Sequence, residues 1–248
     1  MRFAPRKDLT SVKKVKTLDL TKMPELLLDE MTVSFQPDWD NTILMTAYDR
    51  ERTLILTCDG RCLVLPRKLH EVLEQFAKDN DVADYERQAL YEMIGVHKGR
   101  GYIAGNNRLV PTHGTTNTNV VYYMARYLAD KHEVDDQVVA SFQGHEEQIF
   151  RVVIDTGYQT FMNLLLAADE AAKLQLDILD WMMHNYGVKQ VDKQQSVRFY
   201  GMCGENRQKS RDLRLQWMMM LVRQVIHDYC TPEECEEIER HIKRYIEK

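Results

Sequence analysis

The chain has 248 residues, of which 44% are hydrophobic and 29% charged. That composition excludes a disordered or collagen-like chain, and 11 Gly with 6 Pro argue against a turn-rich sandwich. A formal net charge of −5 excludes a uniformly basic nucleic-acid binder, so the placement of charge matters more than its sum.

The first 17 residues carry Arg2, Arg6, Lys7, Lys13, Lys14 and Lys16 against Asp8, with no apolar segment behind them as a secretory signal would have. Residues 1–29 are therefore expected to form a basic N-terminal arm. From residue 30 the pattern favours strands. Met31–Phe35 is one, and Thr42–Tyr48 and Thr53–Thr57 form a hairpin across Asp49-Arg-Glu-Arg52, with Arg61–Leu65 as a possible third member. Pro66 stands where a helix can begin, and Leu69, Val72, Leu73 and Phe76 follow at helical spacing over 67–79. A second amphipathic run places Val82, Tyr85, Ala89 and Met93 on one face and stops near Gly95.

Strands return after residue 100. Tyr102–Ala104 and Arg108–Val110 flank the turn Gly105-Asn-Asn107, and Pro111–Asn119 is a polar loop. Val120–Leu128 is compatible with strand or helix. Val138–Phe142 and Gln148–Ile154 make a further hairpin across Gln143-Gly-His-Glu146. Beyond Gly157 the chain becomes helical: 158–185, an irregular connector over 188–207, a Met-rich helix over 208–229, and a last helix opened by Thr231-Pro-Glu-Glu234. The expected class is α+β, an antiparallel β-rich N-terminal part with two inserted helices and a helical C-terminal extension. The expected division is an arm (1–29), a β-rich domain (30–157) and helices (158–248).

No apolar run reaches the length of a membrane-spanning helix. Cys58, Cys62, Cys203, Cys230 and Cys235 are scattered and odd in number, which suits reduced thiols in a cytoplasmic protein. Cys58 and Cys62 lack a second ligand pair at zinc spacing, no nucleophile stands in a recognisable elbow, and no phosphate-binding glycine loop is present. No metal site is expected from these residues.

The most informative feature is a gap. Glu92 and Asp130 enclose 37 residues without a carboxylate, where the chain average would place about five or six. The same window holds Lys98, Arg100, Arg108, Arg126, His97 and His113. Cations attract phosphate, and Asn and Thr side chains donate to phosphate oxygens and base edges. The expected DNA contacts are Lys98, Arg100 and Arg108 for charge, with Asn106, Asn107, Thr112, His113, Thr115, Thr116 and Asn117 for hydrogen bonds. The window also fits a solvated loop, an adaptor surface for an acidic protein, or the anion cradle of an enzyme acting on a phosphorylated small molecule. Arg198–Arg214 is a possible second positive patch.

The order of motifs carries a resemblance. A hairpin ends in Cys58-Asp-Gly-Arg61, a helix and Ile94-Gly95 follow, then Asn107-Arg-Leu-Val-Pro111-Thr112, then Val139-Ala-Ser-Phe142-Gln-Gly144, then Tyr158-Gln-Thr160-Phe161-Met-Asn163. Over about residues 42–168 this series resembles the ComK family of bacterial competence transcription factors. There, a Phe-Pro-Thr-Ser-like loop precedes a Phe-Ser-Asn-Gly turn and a Tyr-x-Ser-Phe-x-Asn segment. Val110 stands in place of the family's usual Phe, and Val121-Tyr122-Tyr123 in place of Cys-Trp. The resemblance implies a cytoplasmic transcription activator that binds A·T-rich double-stranded DNA through the minor groove as an oligomer, with no enzymatic activity and no cofactor. Narrow A·T-rich grooves attract inserted arginine, in keeping with the window. The C-terminal helices would supply self-association or a protein contact.

Overall fold

In a computed structural model the described residues are 15–185, without 26–27, 33 and 115–118, and 231–241, without 232, 235 and 239. They form an α+β fold. Eleven strands are described: β1 (Val15–Asp19), β2 (Glu30–Met31), β3 (Thr42–Ala47), β4 (Thr53–Thr57), β5 (Cys62–Leu65), β6 (Tyr102–Ala104), β7 (Asn107–Pro111), β8 (Val121–Met124), β9 (Leu128–Val134), β10 (Gln137–Gln143) and β11 (Ile149–Ile154). Helices α1 (Leu69–Asp79) and α2 (Asp84–Met93) lie between β5 and β6, and α3 (Tyr158–Asn185) follows β11.

The strands make two sheets. One has the order β1-β11-β10-β9, the other β2-β5-β4-β3-β8-β7-β6. Only β1–β11 and β2–β5 pair in parallel. In β3, β4 and β5 every residue but Ala47 is buried, because both faces of the larger sheet are covered. Alternation sends Leu44, Leu54, Leu56, Val64 and Tyr123 into one core, shared with Phe142, Phe150 and Val152 of the smaller sheet and with Phe161, Leu165 and Ala168 of α3. The opposite set, Met45, Ile55, Leu65 and Tyr122, packs under Val72, Leu73 and Phe76 of α1, with Trp39 edge-on to Phe76 at 4.7 Å. A third cluster joins Leu90 and Tyr91 of α2, Ile103 of β6, and Ala171 and Ala172 of α3.

The structure departs from the sequence expectations at four places. Residues 15–19 are not an arm: Leu18 is in the core and β1 lies against β11. The expected strand at 31–35 is reduced to the short β2. β9, which the composition hid, is an edge strand with mostly exposed charged residues. It turns into β10 through Asp135 and Asp136, both left-handed at φ 49° and 62°. In α2 the buried face is Leu90 and Tyr91, while Met93, expected inside, is 67% exposed.

The chain divides into two compact units, Met1–Leu179 and Asp180–Lys248. The boundary between them lies at 179/180, within α3, and the start of that helix packs in the core of the first unit. In the second unit, residues 233–241 are helical where described. The Thr231 hydroxyl accepts the Glu234 N–H at 3.4 Å, the cap that the sequence implied, and the Thr231 N–H donates to Glu234 Oε2 at 2.9 Å. No helix among the described residues is long and apolar enough to cross a membrane. The Met-rich run, the connector with Arg198–Arg214 and the basic residues before 15 lie outside the described residues.

Candidate nucleic-acid interface

The acid-free window folds at one end of the seven-stranded sheet, where β6, β7 and β8 meet α2 and the first half of α3. Its base is rigid. Thr112 extends the β7–β8 ladder: its N–H donates to the Val121 carbonyl at 2.9 Å, and its hydroxyl accepts the Val121 N–H at 3.1 Å. Its carbonyl accepts the Thr156 hydroxyl at 3.0 Å. With 0% exposure, Thr112 is an anchor of the loop and not a contact, which corrects its place among the DNA-binding residues. Hydroxyl residues that end a strand are consumed by the ladder when a second chain segment covers them.

The arginines call for a larger correction. Arg108 Nε lies 3.0 Å from Asp169 Oδ1 of α3, and Arg100 Nη2 lies 3.4 Å from Glu92 Oε1 of α2. Arg126 Nη1 donates to Asp40 Oδ1 at 2.7 Å. The window contains no carboxylates, yet the fold brings one to each of these three guanidiniums. Arg108 and Arg100 are also enclosed, at 24% and 21% side-chain exposure. They are structural cations first, and the charge assigned to them for phosphate is already balanced.

The other expected contacts divide. Lys98 is exposed and makes no ion pair with a described residue, and Asn106 is exposed at the tip of the β6–β7 turn. That turn is held by Gly105, at φ +59°, whose N–H donates to Gln175 Oε1 of α3 at 2.7 Å. Asn107 accepts from Arg126 at 3.3 Å. His113 is half-buried, its Nδ1 3.1 Å from the Thr112 hydroxyl. Burial holds its imidazole below the ordinary value, against an opposing effect from Asp155, so it is a neutral hydrogen-bonding group near pH 7 and not a cation. Thr115, Thr116 and Asn117 lie outside the described residues.

Beneath this surface is a polar interior that sequence reasoning missed. Among the described residues, the buried side-chain atoms without a hydrogen bond are Arg87 Nε, Arg100 Nε, Arg108 Nε, Tyr123 Oη and Asp169 Oδ1, all on elements of this same end. Arg108 and Asp169 attract each other at 3.0 Å without the alignment of a hydrogen bond. Arg87 pairs with Asp84 and lies 4.4 Å from the Tyr102 ring centre. The Tyr91 hydroxyl accepts the Gly101 N–H at 3.0 Å, and burial pushes its phenol up to about 12. These aromatic and cationic residues are neighbours only in three dimensions, so no local spacing announces them. Among the described residues no group of His, Cys, Asp or Glu side chains converges as a metal site.

Comparison with known proteins returns no matching family model, no curated protein and no solved structure.

Proposed function

We propose that the chain is a DNA-binding transcription regulator of the ComK type, not an enzyme, acting in the cytoplasm and docking on A·T-rich duplex through the β7–β8 loop and the β6–β7 turn. The observation that supports this reading is the loop itself. A carboxylate-free segment rich in Thr and Asn follows Thr112, whose hydroxyl accepts the Val121 N–H and whose carbonyl accepts the Thr156 hydroxyl. The paired arginines shift the contact from charge toward hydrogen bonding and shape.

That shift is measurable. Four free cations in the window would steepen the salt dependence of binding by about 3.6 in log–log slope, while Lys98 alone contributes about 0.9. Titration of a fluorescent A·T-rich duplex at two salt concentrations should therefore show Lys98→Ala flattening the slope by about 0.9. Arg100→Ala and Arg108→Ala should leave it unchanged. Equal, feeble retention of A·T-rich and G·C-rich duplexes overturns the reading. The pairing of all three arginines favours one alternative, a protein-binding module with no duplex affinity, and that outcome would select it.

A further inference from the structure

The three ion pairs are not equivalent. Arg126, in the turn that follows β8, is 39% exposed, and its partner Asp40 is 82% exposed. Three groups hold the guanidinium: Asp40 Oδ1 at 2.7 Å, Asn107 Oδ1 at 3.3 Å and the Tyr127 ring at 5.2 Å. The Asp40 backbone is fixed without its carboxylate. Its carbonyl accepts the Tyr127 hydroxyl at 3.0 Å, and its N–H donates to Asp38 Oδ1 at 2.8 Å. The Asp40 side chain can thus rotate away while the loop stays in place and Asn107 and Tyr127 keep the guanidinium aimed.

We propose that Arg126 and Asn107 form an oxyanion site in which the Asp40 carboxylate is an internal occupant, exchanged for a phosphodiester oxygen when duplex DNA docks. A carboxylate and a phosphate present the same paired oxygens to a guanidinium. An exposed ion pair contributes little, so the field of a polyanion displaces it, whereas Arg100 and Arg108 are themselves enclosed and their partners, 47% and 45% exposed against 82% for Asp40, stay. Asp40 then sets affinity as an internal competitor. This inference rests on the duplex-binding reading and adds to Lys98 a second cation for phosphate.

The test compares the full chain with Asp40→Asn, Asp40→Glu, Arg126→Ala and the Asp40→Asn/Arg126→Ala pair, on A·T-rich duplex and on polyglutamate, each variant checked by thermal melting. Asp40→Asn should bind duplex more tightly at low salt. Its affinity should change roughly three- to four-fold more than that of the unaltered chain between 50 and 200 mM salt, the effect of one added phosphate contact. Arg126→Ala should remove that gain, and Asp40→Glu should restore the original slope. If the unaltered chain binds duplex and Asp40→Asn changes nothing, the inference is overturned while the duplex reading stands. If no variant binds duplex, both fall. A gain on polyglutamate alone overturns the phosphodiester assignment.

Discussion

Tyr123 offers a sharp test of the buried end of the sheet. Its ring stacks on Phe161 with centroids 4.9 Å apart and planes within 6°, and the residue is 0% exposed. Its hydroxyl has no hydrogen-bond partner among the described residues. Burial and the nearby Asp169 carboxylate raise the phenol well above its usual range, so it stays neutral at any assay pH. A hydroxyl taken out of water without a partner costs about 1–3 kcal/mol. Tyr123→Phe keeps the stacked ring and removes that cost. The opposing effect is the gap left by one oxygen, roughly 10–15 Å³, worth about 0.3 kcal/mol. Desolvation wins, and the variant should be more stable by about 1 kcal/mol, raising Tm by about 2–4 °C. Urea unfolding and calorimetry at neutral pH measure both quantities. A loss of 1 kcal/mol or more would show that the hydroxyl is hydrogen-bonded in the folded protein, and the account of this end as an unpaired polar interior would be wrong.

Three further outcomes follow from the same packing. A Cβ at Gly144 would lie 2.4 Å from Phe150 Cε2 and 2.5 Å from the Cys58 carbonyl oxygen. Gly144→Ala should therefore cost about 2–3 kcal/mol in denaturant unfolding, and a near-neutral result would refute the close approach. Asp29 accepts the Cys62 N–H at 2.6 Å and pairs with Lys16 at 3.3 Å; the Cys62 hydrogen bond comes first among the effects that hold its carboxyl below the usual value. A depressed carboxylate stabilises the fold above its unfolded-state value and loses that contribution as pH falls through the folded one. Asp29→Asn should accordingly flatten the stability curve below about pH 4, and parallel curves for the two proteins would refute the assignment. Cys58 and Cys62 are buried free thiols, and burial pushes both up, so iodoacetamide should modify them only on unfolding. Peptide mass spectrometry after brief labelling checks this, and rapid modification of either would contradict their burial.

The elements with a single strong period were legible in the sequence. Thr42–Ala47, Thr53–Thr57 and the β10–β11 hairpin stand within a residue or so of their expected limits, and Leu69, Val72 and Phe76 mark α1 as their spacing implied. What was hidden depended on partners far along the chain. Val15–Asp19 has too few apolar residues to announce a strand, and its one buried anchor, Leu18, has meaning only beside Val152. Leu128–Val134 carries four charged or titratable residues in a row because an edge strand needs just one covered side. The site was misjudged for the same reason. A count of carboxylates along the sequence cannot see Asp40, which is 86 positions from Arg126, or Asp169, which arrives from another helix. Charge depletion in one dimension does not survive folding as depletion in space. Thr115, Thr116 and Asn117, the polar residues on which the linear reading leaned most, lie outside the described residues.

The parallel register of Val15–Asp19 against Ile149–Ile154 has a kinetic consequence. A nascent chain that has released its first strand holds nothing for it to pair with until most of the domain has been synthesised. Through that interval the strand's amide groups face water or a chaperone, and the smaller sheet is missing a margin. Ribosome-attached chains in which residues 149–154 are still unsynthesised or inside the exit tunnel should therefore leave the segment open to protease, and chains long enough for β11 to have emerged should close it.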